Sequence, residues 1–193
     1  LAQKKSPAQI ALNSAADMTR QLTATIHANL SVSAIDPAGK TVTTAGGPTL
    51  AYDKLVLAIG ADPIRVPLAD DATDQVLSVN DLGDYTRFRA ALEGKRRVLL
   101  LGAGLIGCEF ANDLHAGGYD VEVVDPAPQL LGRLLPPQAA VFLRAALETL
   151  GVRFHLGTTA QAVNRAGAGL RVTLANGQQI ETDLVLSAIG LKA

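Results

Sequence analysis

At 193 residues and 48% hydrophobic content, the chain can bury a sizeable core as one large domain or two small ones. A formal net charge of −1 offers nucleic acid no electrostatic footprint, and one cysteine excludes an internal disulfide and a two-cysteine redox centre. The longest apolar stretch, 98–111, is broken by three glycines and is too short to span a bilayer; no signal peptide is visible, and cysteine usage fits a reducing, cytoplasmic setting.

Ser14 followed by Asp17 has capping-box form and predicts a short helix over 14–22. Short strands are predicted over 25–28, 30–35, 40–44 and 55–59, separated by the turns Asp36-Pro37-Ala38-Gly39 and Gly46-Gly47-Pro48. The Pro- and Asp-rich stretch 61–72 reads as a connection, and a helix follows over 81–92 with Gly94 past its end. Lys95-Arg96-Arg97 reads as the solvated entrance to a buried, all-apolar strand at 98–101. A helix over 105–116, a strand over 121–124, a helix opened by Pro136-Pro137 and closed by Gly151, and a strand over 154–156 come next. Three short strands with turns at 166–169 and 175–177 lead to a last apolar strand over 184–189.

The chain repeats itself. The segments ending in Ala58-Ile59-Gly60 and Ala188-Ile189-Gly190 each run through a three-strand meander, an aspartate and an apolar strand. In the second copy a strand–glycine loop–helix–strand unit precedes the meander. A chain starting at Leu1 rather than Met is therefore expected to be cut from a longer protein, with a matching glycine loop upstream.

That loop is Gly102-x-Gly104-x-x-Gly107, with Leu105 and Ile106 between its last two glycines. A strand before it, a helix after it and Asp125 closing the next strand supply the context a dinucleotide site needs. Gly102 permits a tight turn, Gly104 lets the backbone approach a pyrophosphate, and Gly107 lets helix and strand pack closely. The helix N-terminus offers N–H groups and partial positive charge to phosphates. Asp125 can accept hydrogen bonds from the adenosine ribose hydroxyls and repels a 2′-phosphate, which favours NAD(H) over NADP(H). Arg133 reads as solvent-facing or as touching the nucleotide rim. Glu109, placed in the first helical turn, serves the helix dipole or faces the nicotinamide. Cys108 reads as packing, and His27, His115 and His155 have no ligand spacing; no triad, metal cluster or paired-carboxylate site is visible.

The stretches YDKLVLAIGADPIRVP, RRVLLLGAGLIGCEFANDL, GVRFHLG and DLVLSAIG resemble the central part of FAD-dependent NAD(P)H oxidoreductases of the pyridine nucleotide-disulphide reductase superfamily. The similarity is greatest to the branch that reduces rubredoxin, with ferredoxin reductases and NADH oxidases further off. The resemblance implies an α/β, Rossmann-like NAD-binding domain of three layers (ββα), inserted into a split FAD domain. By it, 1–79 is the end of the first FAD segment, 80–94 a connection, 95–188 the NAD domain and 189–193 the return to the FAD domain.

Carried over by resemblance, Gly102, Gly104, Leu105, Ile106, Gly107 and Asp125 hold NAD(H), with Glu109 where nicotinamide and flavin meet. Val32 matches a backbone contact to the FAD adenine, Ala58 and Gly60 match the first closing strand, and Gly190 ends the second. The upstream FAD glycine loop, the lysine near the flavin and the C-terminal Gly-Asp motif are absent from this chain. FAD is therefore expected in the full-length protein and activity is not expected of the fragment. The implied reaction passes a hydride from NADH to FAD and then single electrons to a rubredoxin- or ferredoxin-type protein. A dimer is compatible with the family plan, and the alternatives are a flavin-free NAD(H)-binding regulatory module and an NADH oxidase.

Overall fold

The structure is a computed structural model that describes residues 5–69 and 71–193; the first four residues and Asp70, which fall in the expected first segment, lie outside it. The chain forms two compact units, Ala8–Gly60 and a larger one built on Ala61–Ala193.

A single helical turn α1 (Pro7–Ile10), which begins at the boundary of the smaller unit, precedes that unit's helix α2 (Ala15–Leu22). The capping box forms as expected: Asp17 N–H donates to Ser14 Oγ at 3.1 Å and Ser14 N–H to Asp17 Oδ2 at 3.0 Å. Strands β1 (Val32–Asp36), β2 (Thr41–Thr44) and β3 (Thr49–Ala51) make an antiparallel meander. Its first turn is held by Asp36 Oδ1, which accepts from Ala38 and Gly39 N–H, both at 3.0 Å. The strands expected over 25–28 and 55–59 do not form. An all-apolar strand is stable when neighbours bond both of its edges and cover both faces. Among the described residues nothing pairs with 55–59, and Val56 and Ile59 are each 85% exposed.

The larger unit contains β4 (Asp62–Pro63), a 3-10 turn (Thr73–Gln75), β5 (Val76–Ser78), α3 (Leu82–Ala91) and β6 (Arg97–Leu101). It continues with α4 (Leu105–Ala116), β7 (Asp120–Asp125), α5 (Pro137–Leu150) and β8 (Arg153–Leu156). The meander β9 (Ala160–Ala166), β10 (Gly169–Leu174), β11 (Gln179–Thr182) leads into β12 (Leu184–Ser187) and β13 (Leu191–Lys192). Five strands form a parallel sheet in the order β5-β12-β6-β7-β8. β13 pairs with β4 in a two-stranded ribbon inside the stretch read as plain connection. β5 was not expected either; its three residues are extended because β12 bonds them.

Strand alternation divides the unit into three layers. Val98, Leu100, Val121, Val123, Leu184 and Leu186 pack against Phe88, Ala111, Leu114 and Leu147 of the helices. Leu99, Leu101, Val124 and Val185 pack on the opposite face against Val163, Leu170, Val172 and Ile180 of the meander. On the helical side, Phe88 and Phe110 meet edge to face with centroids 5.7 Å apart, worth about 0.5–1.5 kcal/mol beyond their burial.

Asp183, the repeated aspartate, closes the bottom of this sheet. Its Oδ2 accepts from the N–H groups of Arg96 (3.0 Å) and Arg97 (2.9 Å), and its Oδ1 pairs with the Arg97 guanidinium at 2.7 Å. The guanidinium first, then the two backbone N–H groups, hold the carboxyl at about 2 against an ordinary 3.8, outweighing the opposing effect of burial. A depressed carboxyl stabilises fully above its unfolded value, so this contribution is present above about pH 5 and fades as pH falls toward 2. Asp183→Asn is expected to lose about 1–2 kcal/mol in urea unfolding at pH 7. The gap from the native chain should narrow when the titration is repeated at pH 3.

Candidate dinucleotide-binding site

The site stands at the C-terminal ends of β6 and β7, beside the β12–β6 boundary where the sheet order reverses and α/β proteins hold their ligands. The three glycines of the β6–α4 loop do three different things. Gly102 has φ +109, and a Cβ there would stand 2.7 Å from the Ala188 carbonyl oxygen. A Cβ on Gly107 would stand 1.9 Å from the Gly102 carbonyl oxygen, so α4 lies against the loop backbone at a distance no side chain permits. Gly104 is the N-cap of α4 in extended conformation, it is exposed, and nothing lies within 4 Å of where its Cβ would be. Close packing therefore requires Gly102 and Gly107, whereas Gly104 borders open space.

No side chain caps α4. The first intrahelical bond runs from Cys108 N–H to the Gly104 carbonyl at 2.9 Å, leaving the N–H groups of Leu105, Ile106 and Gly107 without helical acceptors. Leu105 and Ile106 are each 51% exposed. Together these groups make a bare, partially positive helix end above the sheet.

Asp125, half-buried at the end of β7, faces the same loop. Its Oδ2 accepts from Ala103 N–H at 2.6 Å and its Oδ1 from Ala127 N–H at 2.7 Å. The second bond is an Asx turn, which the dipeptide Asp125-Pro126 signals in sequence. A carboxylate has about four acceptor sites, so roughly two remain for a diol.

The structure thus brings together Gly102, Gly104, Leu105, Ile106, Gly107 and Asp125. Glu109 is exposed but is the fifth residue of α4, so the expectation of a first-turn position is corrected: the first turn has no acidic residue. Arg133 is exposed on the β7–α5 connection, and Gly190, exposed with φ +112, follows β12. Val32, 56% exposed, lies on β1 of the smaller unit. Ala58 and Gly60 are exposed there too, but outside any strand, because among the described residues no strand pairs with the segment.

Ala103 and Leu131 were not foreseen. The Ala103 carbonyl accepts from Leu131 N–H at 3.0 Å, and Leu131 adopts φ +50, which its sequence neighbours do not announce. Cys108 is 7% exposed; burial pushes its thiol up to about 11, with Asp125 adding to the effect, so it packs rather than reacts. His155 Nε2 lies 2.7 Å from Glu122 Oε2. Among the described residues no cluster of ligating side chains could hold a metal, and no helix is long and apolar enough to cross a membrane.

The family model for pyridine nucleotide-disulphide oxidoreductases matches residues 1–193. The chain belongs to that family. It is 49% identical over 176 residues to the rubredoxin-NAD(+) reductase of Alcanivorax borkumensis, covering 91% of this chain and 46% of that protein. It is 45% identical over 199 residues to the rubredoxin-NAD(+) reductase of Acinetobacter baylyi, covering 100% and 51%. A crystal structure of a ferredoxin reductase from Rhodopseudomonas palustris superposes with a TM-score of 0.85 at 28% identity, over 96% of this chain and 46% of that one. The chain spans about half the length of the curated relatives it matches.

The glycine geometry predicts opposite outcomes for two alanine substitutions. Gly107→Ala forces α4 off the loop and is expected to cost at least ~2 kcal/mol in thermal or urea unfolding. Gly104→Ala meets no protein atom and is expected to cost less than about 1 kcal/mol in the same measurement.

Proposed function

We propose that this chain carries the NADH site of a flavoprotein oxidoreductase that delivers electrons to a small redox protein of rubredoxin or ferredoxin type. The observation that carries the reading is the pairing of a bare helix end over Gly104 with a carboxylate closing the neighbouring strand. The relatives named for rubredoxin reduction support it.

The donor set fits NADH. The first-turn N–H groups of α4 would hold the pyrophosphate, and Gly104 would let its oxygens approach the backbone. The outward acceptor sites of Asp125 would take the ribose hydroxyls and repel a 2′-phosphate, favouring NADH over NADPH. Glu109 is assigned to the nicotinamide side, with Arg133 and Gly190 at the rim of the nucleotide.

For FAD, the residues assigned are Val32, Ala58 and Gly60, all exposed on the smaller unit. When bound, FAD supplies a two-electron acceptor for the hydride and a one-electron donor for the redox protein. The part of this chain is to orient the nicotinamide by fixing the pyrophosphate and ribose behind it. On this reading Ala8–Gly60 belongs to the FAD domain, and the parallel sheet, β5 included, is the NAD domain. We place the reaction in the cytoplasm, where NADH is supplied.

Two measurements test this. In anaerobic stopped-flow on the whole protein, NADH should bleach a bound flavin; an unchanged flavin spectrum overturns the proposal. Gly104→Ala should weaken NADH binding by about tenfold or more in calorimetric titration, since a methyl group would occupy the space assigned to phosphate oxygens.

A further inference from the structure

We infer that Asp125 positions the phosphate loop as well as receiving the ribose, so that sugar choice and pyrophosphate affinity are coupled through the single residue Ala103. This rests on the NADH reading above. Ala103 is 1% exposed, so neither its N–H nor its carbonyl can turn to water. Its N–H donates to Asp125 Oδ2 at 2.6 Å. Its carbonyl accepts from Leu131 N–H at 3.0 Å and from Cys108 Sγ at 3.5 Å. The neighbouring Gly102 N–H donates to the Val124 carbonyl at 2.8 Å.

The loop is thus pinned by the end of β7, by the connection that follows it and by α4, immediately before Gly104, where contacts with protein end. The Leu131 bond comes from a strained turn. Leu131 has φ +50, and its own carbonyl accepts from Leu134 N–H at 2.7 Å and Leu135 N–H at 2.9 Å. A non-glycine residue keeps such a conformation where its surroundings over-determine it. Asp125 is the one side-chain carboxylate bonded to this loop among the described residues, and it reaches the loop through the buried N–H.

Two consequences follow for any change at position 125. Removing the carboxylate removes the repulsion of a 2′-phosphate, but it also leaves the Ala103 N–H buried without an acceptor. An asparagine loses the charge and keeps one side-chain oxygen, which serves the buried Ala103 N–H while the partly exposed Ala127 N–H turns to water. Alanine and asparagine should therefore diverge on NADPH, although neither repels it.

The test titrates the whole protein, its Asp125→Ala and its Asp125→Asn variants with NADH and with NADPH by calorimetry. Amide hydrogen exchange across 102–107 is measured alongside without nucleotide. Asp125→Asn is expected to bind NADPH about tenfold tighter than Asp125→Ala, the size of one restored hydrogen bond. Exchange across the loop should rise about tenfold in Asp125→Ala and stay near native in Asp125→Asn. Asp125→Ser, whose short hydroxyl cannot span to Ala103, replaces the alanine variant if that fails to fold, with the same outcome expected. Equal NADPH affinities in the two variants, together with native exchange in both, overturn the positioning role and leave the NADH reading standing. A native protein that binds neither nucleotide overturns the NADH reading, while faster exchange in Asp125→Ala still reports the strut.

Discussion

The larger unit depends on one contact distance. At Gly107 the α4 backbone lies so near the Gly102 carbonyl that even a methyl group is excluded. That contact seats the start of α4 over the end of β6, and it fixes where the uncapped helix end points. It also restricts β6 to a loop that turns at once, with Gly102 at φ +109 pressed against the Ala188 carbonyl. Tight packing and an exposed set of backbone donors are here the same feature.

Around that contact the sheet is built to be buried on both faces. Successive residues of β6 go alternately to the helical core and to the meander core, which is why 98–101 is apolar without interruption. The sandwich leaves the C-terminal strand ends clear and places the loops following β6, β7 and β12 side by side. Two carboxylates tie backbone at opposite ends of the sheet: Asp183 to Arg96 and Arg97 at the bottom, Asp125 to Ala103 at the top.

Features written in local chemistry were legible in the sequence. The capping residue Ser14, the span of α4, the Gly151 stop of α5 and the spacing from Gly107 to Asp125 each rest on a few adjacent residues. Features that depend on distant partners were not. Val76–Ser78 is a strand because β12 lies beside it, and Asp62–Pro63 because Leu191–Lys192 does. The sharpest contrast is between the two copies of the repeat. Leu184–Ser187 and the segment 55–59 have the same apolar character and the same preceding aspartate. The former is bonded on both sides by β5 and β6; the latter has no neighbour among the described residues and is not a strand. At the site, the spacing of the glycines located the loop whose backbone opens at Gly104. What braces the loop from behind, the Leu131 turn and the Ala103 peptide, is long-range backbone geometry that no residue type announces.

The clasp at the bottom of the sheet also sets an order of assembly. Arg96 bonds two carboxylates, Asp120 at 24 residues' separation and Asp183 at 87. Closing the longer loop costs about 1 kcal/mol more in chain entropy than closing the shorter one. Parallel pairing across such a separation is also slow to find. The half of the sheet running from β6 to β8 can zip from contiguous chain, whereas β12 must wait for the whole meander before it enters between β5 and β6. The β12–β6 pair, at whose end the β6–α4 loop lies, is thereby expected to be among the last to close.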